Sequence, residues 1–177
     1  FSYRVLPELT FSGSASYTDA HLTGLTANEE VYLGLYHKGA RLPLSPKFNF
    51  ALSGTYNFDL GAGYSGSANL SDVYVGSRNA NFDVDPAGEA AAAGSPLYKL
   101  KAYNTVNFNL AFFLPHNMEV DAYLKNVFDV RGEVSANAFE DQYLNPYFGG
   151  YGLPYAPVPV ILSQPRTVGL VLKIATE

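Results

Sequence analysis

Two-residue alternation, sustained over stretches longer than an ordinary strand, constrains this chain more than any other feature. In residues 47–60 the even positions read Phe48, Phe50, Leu52, Gly54, Tyr56, Phe58 and Leu60. The odd positions read Lys47, Asn49, Ala51, Ser53, Thr55, Asn57 and Asp59. Successive side chains of an extended strand point to opposite faces, so this stretch has one greasy, aromatic face and one small, polar face as a strand. The same pattern recurs over residues 9–18, 62–71, 103–114, 118–128 and 166–174. In residues 103–114, for example, Val106, Phe108, Leu110, Phe112 and Leu114 oppose Thr105, Asn107, Asn109 and Ala111.

The length of these stretches carries a second constraint. Strands of about 9–14 residues exceed the usual ~5–6 of soluble sheets and match what a tilted strand needs to cross a bilayer. Connections alternate as well: residues 59–62 and 114–117 are tight turns, whereas residues 20–46, 76–102 and 140–164 are long. Tight and long connections alternate in this way between the periplasmic and extracellular ends of outer-membrane barrels. Six antiparallel strands follow, near residues 3–19, 47–60, 62–75, 103–114, 118–136 and 165–174, each paired to the next. The expected fold is an all-β, antiparallel, up-and-down transmembrane β-barrel segment, a single partial barrel domain over residues 1–177. Phe48, Phe50, Phe58, Phe108, Leu110 and Leu170 should share one face, and Ser14, Ser16, Asn49, Thr55, Ser67 and Asn107 the other. Six strands are fewer than the eight of the smallest common outer-membrane barrels, so open edges are expected at the strands holding Phe11 and Leu170. A soluble β-sandwich is the competing fold, with a second sheet over the greasy face, although its strands are shorter and its turn signals more closely spaced. Aromatic residues near strand ends, such as Tyr17, Phe48, Phe58, Tyr64, Tyr103 and Phe128, favour interfacial girdles instead.

Composition narrows the function. Apolar runs are short and interrupted, so no helix-forming segment approaches the ~18 apolar residues of a membrane span. Cysteine is absent, which excludes disulfides and thiolate metal sites. A formal charge of −5, with scattered basic residues, argues against a nucleic-acid partner. The chain starts at Phe1 with no Met and no signal-like segment, so a signal was removed or the chain begins inside a longer protein.

Catalytic patterns are weak. His21, His37 and His116 are the available histidines, and Gly63-Tyr64-Ser65-Gly66-Ser67 approaches a nucleophile elbow but lacks its last glycine and the helix that should follow. His116 falls in a tight turn, where an exposed polar role suffices. His21, Glu29, Glu30 and His37 share one long connection without ligand spacing, and Asp83, Asp85 and Glu89 share another without an EF-hand order. No catalytic residue, metal site or cofactor is therefore expected. The third long connection has the most recognition-like chemistry: Tyr143, Tyr147, Phe148, Tyr151 and Tyr155 interleave with Gly149, Gly150 and Gly152. Tyrosine offers an apolar face and a polar tip suited to sugars, aromatics or chelates, and the same rings would also serve to pack loop on loop.

Four stretches carry a family resemblance: residues 13–20 (Gly-Ser-Ala-Ser-Tyr-Thr-Asp-Ala), 42–48 (Leu-Pro-Leu-Ser-Pro-Lys-Phe), 120–129 (Val-Asp-Ala-Tyr-Leu-Lys-Asn-Val-Phe-Asp) and 164–170 (Gln-Pro-Arg-Thr-Val-Gly-Leu). In order and spacing the chain resembles the C-terminal portion of TonB-dependent outer-membrane receptors. The resemblance implies a cell outer-membrane location and uptake of a scarce small-molecule ligand such as an iron chelate or saccharide. The implied partners are outer-membrane lipid, the rest of a 22-stranded barrel with its plug, and the TonB energy-coupling complex acting through that plug. Asn126 and Asp129 are turn-prone groups able to satisfy backbone at the strand end, and Pro165, lacking a donor, suits a strand's first residue. The ending Lys173-Ile174-Ala175-Thr176-Glu177 departs from the family's aromatic terminus.

Overall fold

The computed structural model describes residues 1–24, 38–82, 98–136 and 159–175. Among these, strands, turns and bridges account for all regular structure, and no helix occurs. Eleven strands form: β1 (Ser2–Arg4), β2 (Leu9–Tyr17), β3 (Phe48–Gly61), β4 (Tyr64–Val75), β5 (Arg78–Asn79), β6 (Lys99–Leu100), β7 (Tyr103–Leu114), β8 (Met118–Lys125), β9 (Glu133–Ala136), β10 (Val160–Leu162) and β11 (Thr167–Ile174). Seven make one sheet, ordered β1-β2-β3-β4-β7-β8-β11, with every pairing antiparallel. β5 pairs with β6 and β9 with β10 in two small separate ladders.

Register fixes the two faces. Residues directly opposite in an antiparallel pair share a face, and the row Ala15–Phe50–Tyr74–Asn104 or Phe58–Gly66–Phe112–Val120 can be followed strand by strand. A slip of one residue would move a whole strand's apolar set to the wrong side, and none occurs within the ladders from β2 to β11. The one irregularity within the main sheet is a bulge at Asp59/Gly61, beside the turn; the small β9–β10 ladder has another at Ile161/Leu162. Phe48, Phe50, Phe58, Phe108, Leu110 and Leu170 therefore share a face, as the alternation predicts, with Tyr3, Phe11, Leu52, Leu70, Val106, Phe112, Val120, Leu124, Val168 and Leu172. Asp72 and Asn104 are its polar members, joined by an Asn104 Nδ2–Asp72 Oδ1 hydrogen bond of 3.3 Å. The opposite face is mostly Ser, Thr and Asn, stitched laterally by Ser12–Ser53 hydroxyls at 2.8 Å and by Asn69 Nδ2 donating to Thr55 Oγ1 at 2.8 Å. Val73, Val75, Phe113 and Val171 are its larger apolar exceptions, beside the small Ala51 and Ala111, and Lys173 there reaches Asp121 at 2.7 Å and Glu119 at 3.0 Å.

Nothing among the described residues covers the apolar face. Leu70 is 54% exposed, Leu170 72% and Leu172 56%, and the buried apolar residues are only Ala40, Leu100, Ala111 and Ala136. The sheet is open, with β1 and β11 at its edges.

Three sequence expectations are corrected. Residues 3–19 are not one strand: the chain reverses over residues 5–8, where Val5 N and Leu6 N donate to Leu9 O, so β1 folds back on β2. Pro7, with a fixed φ and no donor, interrupts the ladder there. The stretch 118–136 also breaks, because β8 ends at Lys125 and β9 pairs elsewhere, after left-handed Asn126 (φ 51°) and Asp129 (φ 51°). Third, because β1 folds back on β2, the open edge expected at the Phe11 strand is β1; the second and third long connections also hold short ladders of their own, β5–β6 and β9–β10. The turns at 62–63 and 115–117 are as tight as expected, with Ala62, His116 and Asn117 all at positive φ.

Aromatic rings fill the space that cross-strand glycines leave. Phe58 lies over Gly66, where an added Cβ would stand 2.5 Å from the ring and 2.7 Å from the Ala111 carbonyl oxygen. Because backbone cannot yield as a side-chain tip can, Gly66→Ala should cost about 1–3 kcal/mol by urea unfolding in detergent micelles. Gly24→Ala, with open space around it, should not differ measurably from the parent chain.

Candidate functional site at the long-connection end

All strands of the main sheet share one polarity of connection. The reversals at residues 5–8, 62–63 and 115–117 lie at one end, and the connections 18–47, 76–102 and 126–166 all leave from the other. Parts of all three connections are stitched together there.

The second connection supplies the anchor. Arg78 is buried, 5% exposed, and its Nη2 donates to the carbonyls of Glu133 (2.9 Å) and Val134 (2.7 Å), while Nη1 reaches Gly76 O at 3.4 Å. Its guanidinium also lies 5.9 Å from the centroid of the Tyr103 ring. A buried cation is tolerable only when its donors find acceptors, and here backbone carbonyls of the second and third connections accept from both terminal nitrogens. Next to it, Asn79 O accepts the Leu44 N–H of the first connection (2.8 Å), Asn81 Oδ1 accepts Tyr98 N–H (3.0 Å), and Leu100 is fully buried. Glu133 Oε2 accepts Lys101 N–H at 3.3 Å.

The third connection is built around Asn126, only 2% exposed. Asparagine tolerates the left-handed backbone that this position requires. Its Nδ2 donates to Val130 O (3.0 Å) and Gln164 O (2.8 Å), its Oδ1 accepts Val130 N–H (2.9 Å), and its own N–H donates to Asn107 Oδ1 (3.0 Å). Asp129 Oδ1 accepts Arg166 N–H at 2.8 Å, which locks the approach to β11 directly after Pro165. Ser163 Oγ donates to Val130 O and accepts Gly132 N–H. The expected turn role of Asn126 and Asp129 is thus visible as hydrogen bonds to backbone. That contact with the Arg166 N–H, helped by the Arg131 and Arg166 charges, holds the Asp129 carboxyl below its ordinary value of 3.8. A depressed carboxylate contributes stability above its unfolded value, and the contribution is lost as pH falls through the folded value. The Arg166 amide resonance should therefore titrate with a midpoint below 3.8, and Asp129→Ala should abolish that titration.

At the root of the first connection, the His21 ring bridges Asp19 Oδ1 (Nε2, 2.8 Å) and Gly39 O (Nδ1, 2.9 Å). Lys47 Nζ is 3.7 Å from Asp19, and Arg41 Nη2 donates to Ser45 O at 2.9 Å.

Tyr143, Tyr147, Phe148, Tyr151 and Tyr155 lie outside the described residues, as do Glu29, Glu30, His37, Asp83, Asp85 and Glu89. Of the other candidates, His116 sits in a turn at the opposite end and Ser65 inside β4, far from His21 along the sheet. Among the described residues no group of three or more His, Cys, Asp or Glu is placed to hold a metal. Arg78 escaped notice in the sequence because its partners are carbonyls, which any residue carries. The Asp19–His21 pair did have a signal, since residues two apart on an extended chain point the same way.

No family model, no curated protein and no solved structure matches this chain.

Proposed function

We propose that this chain is part of the wall of an outer-membrane β-barrel that takes up a small ligand, in the manner of a TonB-dependent receptor. In this reading the Leu/Phe/Val face meets lipid, the Ser/Thr/Asn face lines the lumen, and the stitched long connections form the outer mouth. The observation that carries it is the uncovered apolar face, in register across seven strands, with the tight reversals that join adjacent strands of the sheet, among the described residues, all at one end.

Aromatic rings support it further. On the apolar face Phe48, Phe50 and Tyr74 cluster toward the long connections, with Phe50 stacked on Tyr74 at 5.0 Å. Tyr56, Phe58 and Phe112 cluster toward the tight turns, at 6.3 and 5.9 Å between centroids. From Phe48 to Phe58 is about 33 Å along an extended strand, or about 25 Å in height at a tilt of ~40°, the height of an outer-membrane apolar band between its girdles. Asp72, paired with Asn104, lies one row inside the upper cluster, toward the interface where an acidic group costs least.

Both edge strands run toward the tight-turn end, so an all-antiparallel closure needs an odd number of further strands. A second copy in the same membrane orientation could meet β11 only through a parallel β1. The rest of the barrel, with its plug and the TonB complex, fits that requirement as the partner.

Topology is the test. The chain has no cysteine, so single cysteines introduced at exposed Leu42 and Leu60 are clean reporters in intact cells of a Gram-negative host. A membrane-impermeant maleimide should label Leu42→Cys and spare Leu60→Cys until the cells are broken. Equal labelling, or a protein recovered in the soluble fraction, would reject the proposal.

A further inference from the structure

The root of the first long connection contains a histidine whose two ring nitrogens both face oxygens that can only accept. Nε2 is 2.8 Å from the Asp19 carboxylate, and Nδ1 is 2.9 Å from the Gly39 carbonyl. A neutral imidazole carries one N–H, so it satisfies one of these contacts and presses a lone pair against the other oxygen. Only the imidazolium donates to both. The ring spans the place where two backbone segments meet: His21 bridges to Arg41, Leu22 N donates to Ala40 O (2.9 Å), Gly39 N to Leu22 O (2.8 Å), and Leu42 N to Ala20 O (3.0 Å).

We propose that His21 is a proton-dependent clamp: as the imidazolium it ties residues 19–22 to residues 39–42, and on losing a proton it releases one side of that tie. The described charged groups around it are Asp19, Lys47 and Arg41, with Lys38 next to Gly39 in the chain. Asp19 favours the charged ring, chiefly through their hydrogen bond, and the Gly39 carbonyl adds to it; Lys47 opposes. The balance raises the His21 pKa above its ordinary 6.5, while the same contact holds Asp19 below 3.8. A raised basic group contributes its stabilisation fully below the unfolded value and loses it as pH rises through the folded value. The clamp is therefore closed below pH 6.5 and loosens as pH rises through a midpoint above that value. The extended backbone at the joint is held by few hydrogen bonds and two exposed side chains, so its opening needs no unfolding of the main sheet.

The test uses the full chain in detergent micelles, with ring-nitrogen chemical shifts assigned to His21 by their loss in His21→Gln. Two protonated nitrogens at pH 6, and a midpoint above 6.5, are expected. Asp19→Asn should lower that midpoint and Lys47→Met should raise it, opposite signs that a general loss of structure would not produce. Amide exchange at Leu22 and Gly39, corrected for its intrinsic pH dependence, should quicken several-fold through the same midpoint and become pH-independent in His21→Gln. A neutral ring at pH 6, a midpoint unmoved by both variants, or pH-independent protection in the parent chain would each overturn the clamp.

Discussion

Asn126→Ala is expected to lower stability by about 2–4 kcal/mol, more than any other uncharged substitution in the described turns. Three hydrogen bonds disappear together, and they served Val130 N–H, Val130 O and Gln164 O in a place where Asn126 itself is 2% exposed. Val130 O keeps the Ser163 hydroxyl, whereas Val130 N–H and Gln164 O lose the Asn126 partner, and a polar group left so costs about 1–3 kcal/mol, with partial relief from water. Alanine also tolerates the left-handed backbone at φ 51° less well than asparagine does. Asn126→Gly separates the two causes, because it removes the strain and keeps the hydrogen-bond loss, and it should be the milder variant. Asn126→Asp keeps the acceptor for Val130 N–H yet turns a carboxylate toward two carbonyl oxygens, so it should be at least as harmful as alanine. Urea unfolding of the full chain in micelles measures all three. Equal stability of parent and Asn126→Ala would mean that the turn is not organised by this side chain.

Phe108→Arg should be the most damaging single change on the sheet in a bilayer, at about 2–4 kcal/mol near the midplane. Phe108 lies in the middle of β7, in the row Gly54–Leu70–Phe108–Leu124–Val168, midway between the two aromatic clusters and on the uncovered face. Asn109→Arg, one residue away on the opposite face, should change folding free energy in lipid vesicles by no more than about 0.5 kcal/mol. The contrast between neighbours is the diagnostic quantity, since both variants add the same charge to the same strand.

The sheet was legible because its period of two is rigid: the alternating Phe and Asn of β3 and β7 determine which face each residue takes, and the register follows from matching greasy faces. What broke the expected strands was local. Pro7 stops the pairing of residues 3–19, and Asn126 turns the chain out of β8 before residue 133. Both residue types are ordinary turn signals, and length alone had overridden them. The β5–β6 and β9–β10 ladders were not legible at all, since strands of two to four residues carry no measurable period. At the candidate site, Asn126 and Asp129 could be read as turn residues, but not their reach to Gln164 and Arg166. Those contacts depend on how β8 and β11 align. The anchoring role of Arg78 was hidden for a similar reason, because Glu133 and Val134 meet it through main-chain oxygens. The tyrosines at 143, 147, 151 and 155, with Phe148, lie outside the described residues, as do Glu29, Glu30, His37, Asp83, Asp85 and Glu89.

A nitroxide scan of β7 in lipid vesicles tests the membrane reading most directly. Single cysteines placed in turn from Thr105 to Phe112, in a chain otherwise free of cysteine, report collisions with oxygen dissolved in lipid and with a water-soluble nickel complex. Positions 106, 108, 110 and 112 should be accessible to oxygen and shielded from nickel, and positions 105, 107, 109 and 111 should show the reverse. A scan without that two-residue period, or nickel access at position 110 equal to that at 109, would contradict a lipid-facing sheet.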